Sequence, residues 1–358
     1  MNNKKEILIV GAGPSGLSTA IFLNELGHTP ILIDKKVKIS KHSKALGINP
    51  RSLEIFEPLG ITDRLLSKGR KMEAINIWKG EQHIYRNEFS RVNCKFPFML
   101  ILSQQESEQI LLEEVNRRAI KIDFDSELTN WNKSGDQFNA IINEHLSIPN
   151  LDYIIGADGG QSIVRKNWGI DYQGFRYDEQ WELFDIELET ELNENEGHVR
   201  LFPEGGMIMI RIKQNIWRVA GNMKSLLNYL PAKSKSGKIH WESEFRIHHK
   251  VAKSLSNDRI ALIGDAAHLH SPVGARGMNL GIEDAFIASR LLNQGKLSEY
   301  DPSRRPYLMR TVNRINNITM GMTGTSNISI FARNNIQLFK IFFPLIMPRV
   351  RKFILGLN

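Results

Sequence analysis

Hydrophobic positions open the chain with a short, continuous apolar run, Glu6 to Val10, of the kind a fully buried strand presents. A glycine-rich turn follows, then Leu17 to Leu26 with apolar residues at helical spacing, and then a second run, Ile31 to Ile33, that ends on Asp34. This predicts a strand–helix–strand unit. Residues 50–60 predict another helix, with Pro50 suited to its first turn and Gly60 to its end. From about residue 73 the period changes: Ala74 to Trp78 and His83 to Asn87 alternate as half-buried strands do. Gln105 to Arg118 returns to a helical period. A second strand-rich zone, about 171–223, holds Trp181 to Leu188, His198 to Phe202 and Met207 to Ile212. Arg259 to Ile263 reads as another buried strand and Gly281 to Leu292 as a helix.

The pattern predicts an α/β chain: a Rossmann-like nucleotide-binding lobe, an inserted sheet-rich substrate lobe and a helical C-terminus. The first would draw on 1–72, 104–170 and 256–300, the second on 73–103 and 171–255, the third on 301–358. The tail, LFKIFFPLIMPRVRKFILGL, mixes apolar residues with Lys340, Arg349, Arg351 and Lys352. A helix packed on the body and broken at Pro344 and Pro348 is the simpler reading; weak peripheral contact with a membrane surface is the alternative.

Composition narrows the class. With 41% hydrophobic and 24% charged residues the chain is an ordinary globular one. Its net charge of +8 would suit nucleic acid, an anionic membrane or a phosphate-bearing cofactor. No basic block interleaved with aromatics supports nucleic acid, so no nucleic-acid partner is expected. Cys94 is the sole cysteine, which rules out a disulfide within the chain and suggests a reducing compartment. No apolar stretch is long enough to span a bilayer, and the N-terminal run is too short for a signal peptide; a cytoplasmic setting is expected. Oligomeric state is not legible.

Candidate chemistry begins at Gly11-Ala-Gly13-Pro14-Ser15-Gly16, which has GxGxxG spacing. Gly11 permits the tight turn, Gly13 lets backbone approach a pyrophosphate, and Gly16 allows close helix–strand packing. The following helix N-terminus aims N–H groups at the phosphates. Asp34, 18 residues after Gly16, is placed to accept from a ribose, with Lys35 beside it. This motif alone does not separate FAD from NAD.

Two further motifs do. Tyr153-Ile-Ile-Gly-Ala-Asp158-Gly-Gly-Gln-Ser-Ile-Val-Arg165 sets Asp-Gly at the end of an apolar strand. Gly264-Asp265-Ala-Ala-His268 follows another, and leads to Ser271-Pro272-Val-Gly274-Ala275-Arg276-Gly277-Met278-Asn279. In order and separation, the three motifs resemble those of the single-component FAD-dependent aromatic hydroxylases, the p-hydroxybenzoate and phenol hydroxylase family. Lys44-Ala-Leu-Gly-Ile-Asn-Pro-Arg51-Ser-Leu-Glu54 resembles that family's segment near the flavin phosphates, although the family usually begins it with arginine, so Lys44 loses the bidentate fork. Ser103-Gln104 to Leu111, Phe245 to Ala252 and Arg304-Arg305-Pro306 are similar to further family segments. Where many relatives read Gly-Gly-Gln-Gly, this chain has Gly274-Ala275-Arg276-Gly277.

The resemblance implies FAD as cofactor, NADH or NADPH as transient co-substrate, O2, and hydroxylation of a small, aromatic substrate through a C4a-hydroperoxyflavin. It implies that Asp34 binds the adenosine ribose and that Lys44 and Gln104 line the FAD site. Asp265 would contact the ribityl or pyrophosphate, and Asp158 and Arg165 would support the NADPH and pyrophosphate region. Gly274 to Asn279 would pass beside the flavin ring, with the N–H groups of Met278 and Asn279 and the charge of Arg276 available to its pyrimidine edge. No catalytic side chain is assigned, because the cofactor carries the hard chemistry. Strand alternation sends Met207, Met209 and Arg211 to one face, which with Pro272 is a candidate substrate wall; Arg211 facing water is the alternative. His268 and His270 lack the companions a metal site needs. Halogenation or double-bond reduction on the same scaffold, and a non-enzymatic flavoprotein, are the competing readings; the Trp-x-Trp-x-Ile-Pro segment of halogenases is absent.

Overall fold

A computed structural model describes residues 4–39, 45–324 and 327–357. The run Glu6–Val10 is the central strand of a five-stranded parallel sheet, in the order Ile260–Leu262, Tyr153–Gly156, Glu6–Val10, Thr29–Ile33, Lys121–Asp123. Both faces of this sheet are covered, which is why its strands read as unbroken apolar runs instead of alternating. Ile7, Leu8 and Ile9 are all fully buried. One face carries the helices Pro14–Glu25, Gln104–Arg117 and Gly277–Asn293. Leu128, Phe138, Ala140, Ile142 and Leu151, from a three-stranded antiparallel sheet over 128–151, join the same core.

The second sheet has eight strands, in the order His268–Leu269, Lys235–Ala252, Tyr172–Glu189, Ile216–Gly221, Gly205–Lys213, Glu196–Phe202, Ala74–Lys79, Gln82–Glu88. Its pairings are antiparallel except where Glu196–Phe202 runs parallel to Ala74–Lys79. The chain therefore visits this sheet twice between strands of the first. It passes from one to the other within a few residues at the second Asp-containing turn: Ile260–Leu262 closes the parallel sheet, and His268–Leu269 pairs with Lys250 and Val251 in the large one.

Two elements were not foreseen. Lys235–Ala252 forms an 18-residue strand whose apolar face, Ile239, Trp241, Phe245, Ile247 and Val251, is interrupted at Ser243 and His249, and whose first six residues are all exposed. The 128–151 sheet is built from short strands rich in Asn, Lys and Ser. The helix predicted from Gly281 begins at Gly277, one turn earlier. Toward the C-terminus, Tyr300–Thr323, Asn327–Asn334 and Phe343–Ile354 are helical, and Pro348 lies inside the last of them without ending it.

Truncating Ile9, fully buried on the central strand, removes methyl groups from a site walled on both sides. Ile9→Ala is expected to lower unfolding free energy by about 2–5 kcal/mol. Urea unfolding would register this as a lower midpoint with unchanged m-value; a shift within error would show that the sheet can collapse around the gap.

Candidate functional site

The three sequence motifs close on one glycine loop, through Ser15 and Gly11. Gly264 and Gly281 both face Ser15: a Cβ built on either would fall 2.3 and 2.2 Å, respectively, from Ser15 Oγ. Only glycine lets the first turn of the Pro14–Glu25 helix close onto the Gly264 turn and the Gly277–Asn293 helix. Gly11, at φ +105°, is similarly forced, because a Cβ there would lie 2.4 Å from the Ala157 carbonyl oxygen of the Asp158 loop. Gly16 would strike the Gly11 carbonyl oxygen at 1.8 Å. Gly13 differs: its Cβ would meet no protein atom within 4 Å, so the loop crest is open for a ligand's approach. Pro14 sits in the first turn of its helix, which has no side-chain cap to compete for the N–H groups.

Asp34 stands at the end of its strand and accepts from the N–H groups of Ala12 at 2.7 Å and Lys36 at 2.8 Å. It thus fixes the glycine loop while remaining partly exposed. Lys35 points away into an exposed ion pair with Glu127. Lys44 lies outside the described residues. Gln104 begins its helix and donates to Glu108 at 2.7 Å.

The Asp158 loop is tied to the Gly264 turn by residues that point into the protein. Arg165, buried, donates to the carbonyls of Gly160 at 3.0 Å and Ala266 at 3.1 Å and stacks over Tyr172. Tyr172 in turn donates to the Asp265 carbonyl at 2.7 Å. Asp158 Oδ2 accepts from Ile163 and Val164 N–H, capping a helix, and Oδ1 is buried without a partner. Burial pushes this carboxyl's pKa up, against the hydrogen bonds that lower it. The Asp265 side chain is exposed at the turn.

Behind the turn lies a buried ionic cluster. Asp284 Oδ2 accepts from Gly264 N–H at 3.1 Å and lies 2.7 Å from His268 Nε2. Its Oδ1 accepts from Arg304 Nε at 2.7 Å, and Arg304 also reaches Glu283 at 3.1 Å. Burial opposes ionisation of Asp284, but Arg304 and His268 outweigh it and bring the carboxyl to about 2. No spacing in the sequence marks Asp284, Glu283 or Tyr172, and they were missed there.

The segment Ser271 to Asn279 turns back toward the large sheet. Pro272 is exposed, and its carbonyl accepts from Ala275 N–H at 3.0 Å. Gly274 and Ala275 have φ of +88° and +51°. For alanine this left-handed conformation costs roughly 1–2 kcal/mol. Asn279 holds it: its amide donates to the carbonyls of Ala275 at 2.7 Å and Gly47 at 2.9 Å, while its oxygen accepts from Asn49 N–H and Ser52 Oγ. The Asn279 side chain is thereby fully engaged, and the helix that begins at Gly277 has no side-chain cap on its first N–H groups. Arg276 is completely buried, donating to the Phe353 carbonyl at 3.2 Å and the Tyr307 hydroxyl at 3.1 Å. Its charge therefore points into the body and not toward the cleft.

The substrate-wall expectation is corrected. Met207 and Met209 are fully buried in a cluster with Ile186, Trp217 and Val219, on the far side of the sheet. Arg211 pairs with Glu194 and donates to the Gln214 carbonyl at a hairpin end. It is the other face that meets the turn: Ile208 packs in the cluster containing Val273, and Ile210 and Ile212 in that containing Ala275. Alternation was foreseen, but which face looks inward depends on sheet packing.

Beside the turn sit two unusual histidines. His249 is 3% exposed, neither ring nitrogen has a hydrogen-bond partner, and its ring stacks on Phe175 and meets Tyr177 edge-on. Burial lowers its pKa to about 4. His270, near Gly277, is lowered to about 3, by burial first and then by neighbouring His268. Among the described residues no group of His, Cys, Asp or Glu could hold a metal ion, and no helix is long and apolar enough to cross a membrane.

The architecture is that of a dinucleotide-binding α/β lobe joined to a sheet-rich lobe at the cofactor turn. A family model described as "FAD binding domain" matches residues 4–223 and 222–314, and the chain belongs to that family. It is 28% identical over 308 residues to 6-methylpretetramide 4-monooxygenase of Streptomyces rimosus, covering 78% of this chain and 54% of that protein. It is 27% identical over 305 residues to pentachlorophenol 4-monooxygenase of Sphingobium chlorophenolicum, covering 78% of this chain and 56% of that protein. The chain thus spans little more than half the length of these relatives. The solved p-nitrophenol 4-monooxygenase of Pseudomonas putida DLL-E4 superposes with a TM-score of 0.85 over 99% of both chains; at 17% identity this is a likeness of fold. The residues fit FAD: an unobstructed glycine crest, an uncapped helix start, and carboxylates of Asp34 and Asp265 at the cleft.

Two outcomes test this geometry. Gly281→Ala drives a methyl into Ser15 Oγ and is expected to lower retained flavin severalfold; adding Ser15→Ala should restore most of it, since the tightest contact that then remains, 3.3 Å to Gly264 Cα, needs a shift of only a few tenths of an ångström. An unrescued double variant would mean that the helix contact is not what positions the loop. Acidification gives the second. Because His249 and His270 titrate lower in the folded chain than their ordinary 6.5, the unfolded chain binds more protons, and stability is lost as pH falls from about 6.5 toward 4. His249→Phe should make that slope shallower by up to about 1.4 kcal/mol per pH unit, read from urea midpoints across the range; an unaltered slope would place the proton uptake elsewhere.

Proposed function

We propose that the chain hydroxylates a small aromatic compound, taking electrons from NADH or NADPH and oxygen from O2. FAD, when bound, supplies the two-electron chemistry: a hydride equivalent is accepted from the nicotinamide, one oxygen atom goes to the substrate ring, and the other leaves as water. The observation that carries this reading is the close approach of the three motifs around the glycine loop: Gly11 lies against Ala157 and Asp158, and Ser15 lies against Gly264 and Gly281, which holds the loop, the Asp265 turn and the Gly277 helix as one unit. The names of the pentachlorophenol and 6-methylpretetramide monooxygenases support a monooxygenase reaction.

In this reading the pyrophosphate lies over Gly11, Gly13 and Gly16, against the N-terminal turn that Pro14 and Ser15 begin. Asp34 binds the adenosine ribose, with Lys35, Lys44 and Gln104 at the periphery, and Asp265 meets the ribityl hydroxyls. Arg165 acts as a positioning residue that holds the Gly264 turn, and Asp158 holds the start of the helix that carries Arg165. The N–H groups of Gly277, Met278 and Asn279 would hold the flavin's pyrimidine edge, where the helix dipole would favour the negative charge of the reduced state. Ser271 to Ala275, with Ile208, Ile210 and Ile212 behind it, excludes water from the reacting side.

The test is an absorbance spectrum of the purified protein, followed by anaerobic NADH and NADPH titrations with and without phenolic compounds. Flavin bands near roughly 370 and 450 nm, as for oxidised flavins in general, bleaching faster with one compound, and formation of that compound's hydroxylated product under air, are expected. A protein that cannot be loaded with FAD, or that consumes reduced nicotinamide without ever yielding a hydroxylated product, would overturn the reading.

A further inference from the structure

The C-terminal helices expose an apolar surface that no part of the described chain covers. Among the described residues thirteen large hydrophobic side chains are exposed, and nine of them fall between Ile328 and Ile346. Ile328 is 82% exposed, Ile341 74% and Leu345 67%. This is not a frayed end. The Asn327–Asn334 helix is anchored through buried Arg333, which donates to the Thr323 and Pro203 carbonyls at 2.5 Å. The Phe343–Ile354 helix is anchored by Phe343, edge-on to Tyr85, and by buried Met347 and Phe353. That helix is apolar on its inner face and again on its outer one, where Leu345 and Ile346 give way one turn later to Arg349 and then Lys352. A helix apolar on two sides has an apolar environment on both.

Charge identifies the outer environment. Residues 302–358 contain nine Lys or Arg and no Asp or Glu, more than the whole chain's net charge of +8. Lys340, Arg349 and Lys352 are exposed, and none has a carboxylate within ion-pair distance among the described residues. A second copy meeting this face about a two-fold axis would bring those cations against their own equivalents. An anionic bilayer surface offers an apolar interior beneath a negative boundary, which matches both features.

We infer that this face docks on an anionic lipid surface, with Ile328, Phe331, Ile341, Leu345 and Ile346 entering the acyl boundary and Lys340, Arg349 and Lys352 at the headgroups. The same C-terminal helix reaches the cofactor turn from within: the Phe353 carbonyl accepts from Arg276, and Ile354 and Leu355 pack in the cluster that includes Ala275. Docking therefore sets the site beside the membrane and favours substrates dissolved in lipid. This last step rests on the proposed hydroxylase reading; docking itself does not.

The flavin-loaded full chain is to be sedimented with vesicles of phosphatidylcholine alone and of phosphatidylcholine with an equal part of phosphatidylglycerol. Binding to the anionic vesicles at least about tenfold stronger than to the neutral ones, and weakened by salt, is expected. Ile341→Ser/Leu345→Ser and Lys340→Glu/Arg349→Glu should each lower the bound fraction severalfold while the flavin spectrum stays unchanged. No sedimentation with anionic vesicles, equal binding to both kinds, or undiminished binding by both variants would overturn the inference. So would a stable dimer that the Ile341→Ser/Leu345→Ser variant converts to monomer, which would assign the face to a second copy. Vesicle binding by a chain that takes up no FAD would leave the docking intact and sink the hydroxylase reading alone.

Discussion

The Asp284 carboxylate is the point on which the rest of the arrangement hangs. With one oxygen it accepts from the Gly264 amide and lies against His268; with the other it takes the Arg304 guanidinium. It thereby joins the cofactor turn, the strand that leaves it for the large sheet, the Gly277 helix and the Tyr300–Thr323 helix. Fully buried charge is expensive unless every partner is present, and removing one side of such a pair typically costs about 3–5 kcal/mol. The cost makes the cluster all-or-none: the turn is in its one geometry, or the cluster comes apart.

From that anchor the site is built by close approach more than by side chains that reach for ligand. Arg165, Tyr172, Asn279 and Arg276 each look, by type, like ligand-binding groups. Each instead donates to protein carbonyls or to another side chain, and together they fix loops whose backbone faces the cleft. This suits a long cofactor bound along several loops, because backbone amides held rigidly need no reorganisation when charge develops beside them. The left-handed Gly274–Ala275 pair shows the same economy: its strain is held by Asn279, which also secures Gly47 and Asn49 on the neighbouring segment.

Much of this was legible in the chain. Glu6–Val10 and Arg259–Ile263 announced buried parallel strands because both sides of the sheet are covered, and the glycine motifs announced tight turns because no other residue fits them. The Lys235–Ala252 strand was harder to see, since its alternating series Ile239, Trp241, Phe245, Ile247 and Val251 is interrupted at Ser243 and His249. The substrate wall was assigned to the wrong face of Gly205–Lys213, since alternation defines two faces without saying which one another lobe will cover. Tail residues were legible as basic and apolar, but not as exposed.

By itself, then, the sequence determined local conformation and the family: periodicity and glycine placement are properties of neighbouring residues, and the three motifs keep their order along the chain. Tertiary structure decided everything that depends on residues distant in sequence. It brought Ser15 against Gly264 and Gly281, Asp284 against His268 and Arg304, and Arg276 against Phe353. Those contacts follow from how two sheets and their helices pack, and packing is set by shape and buried charge that no single stretch of the chain records.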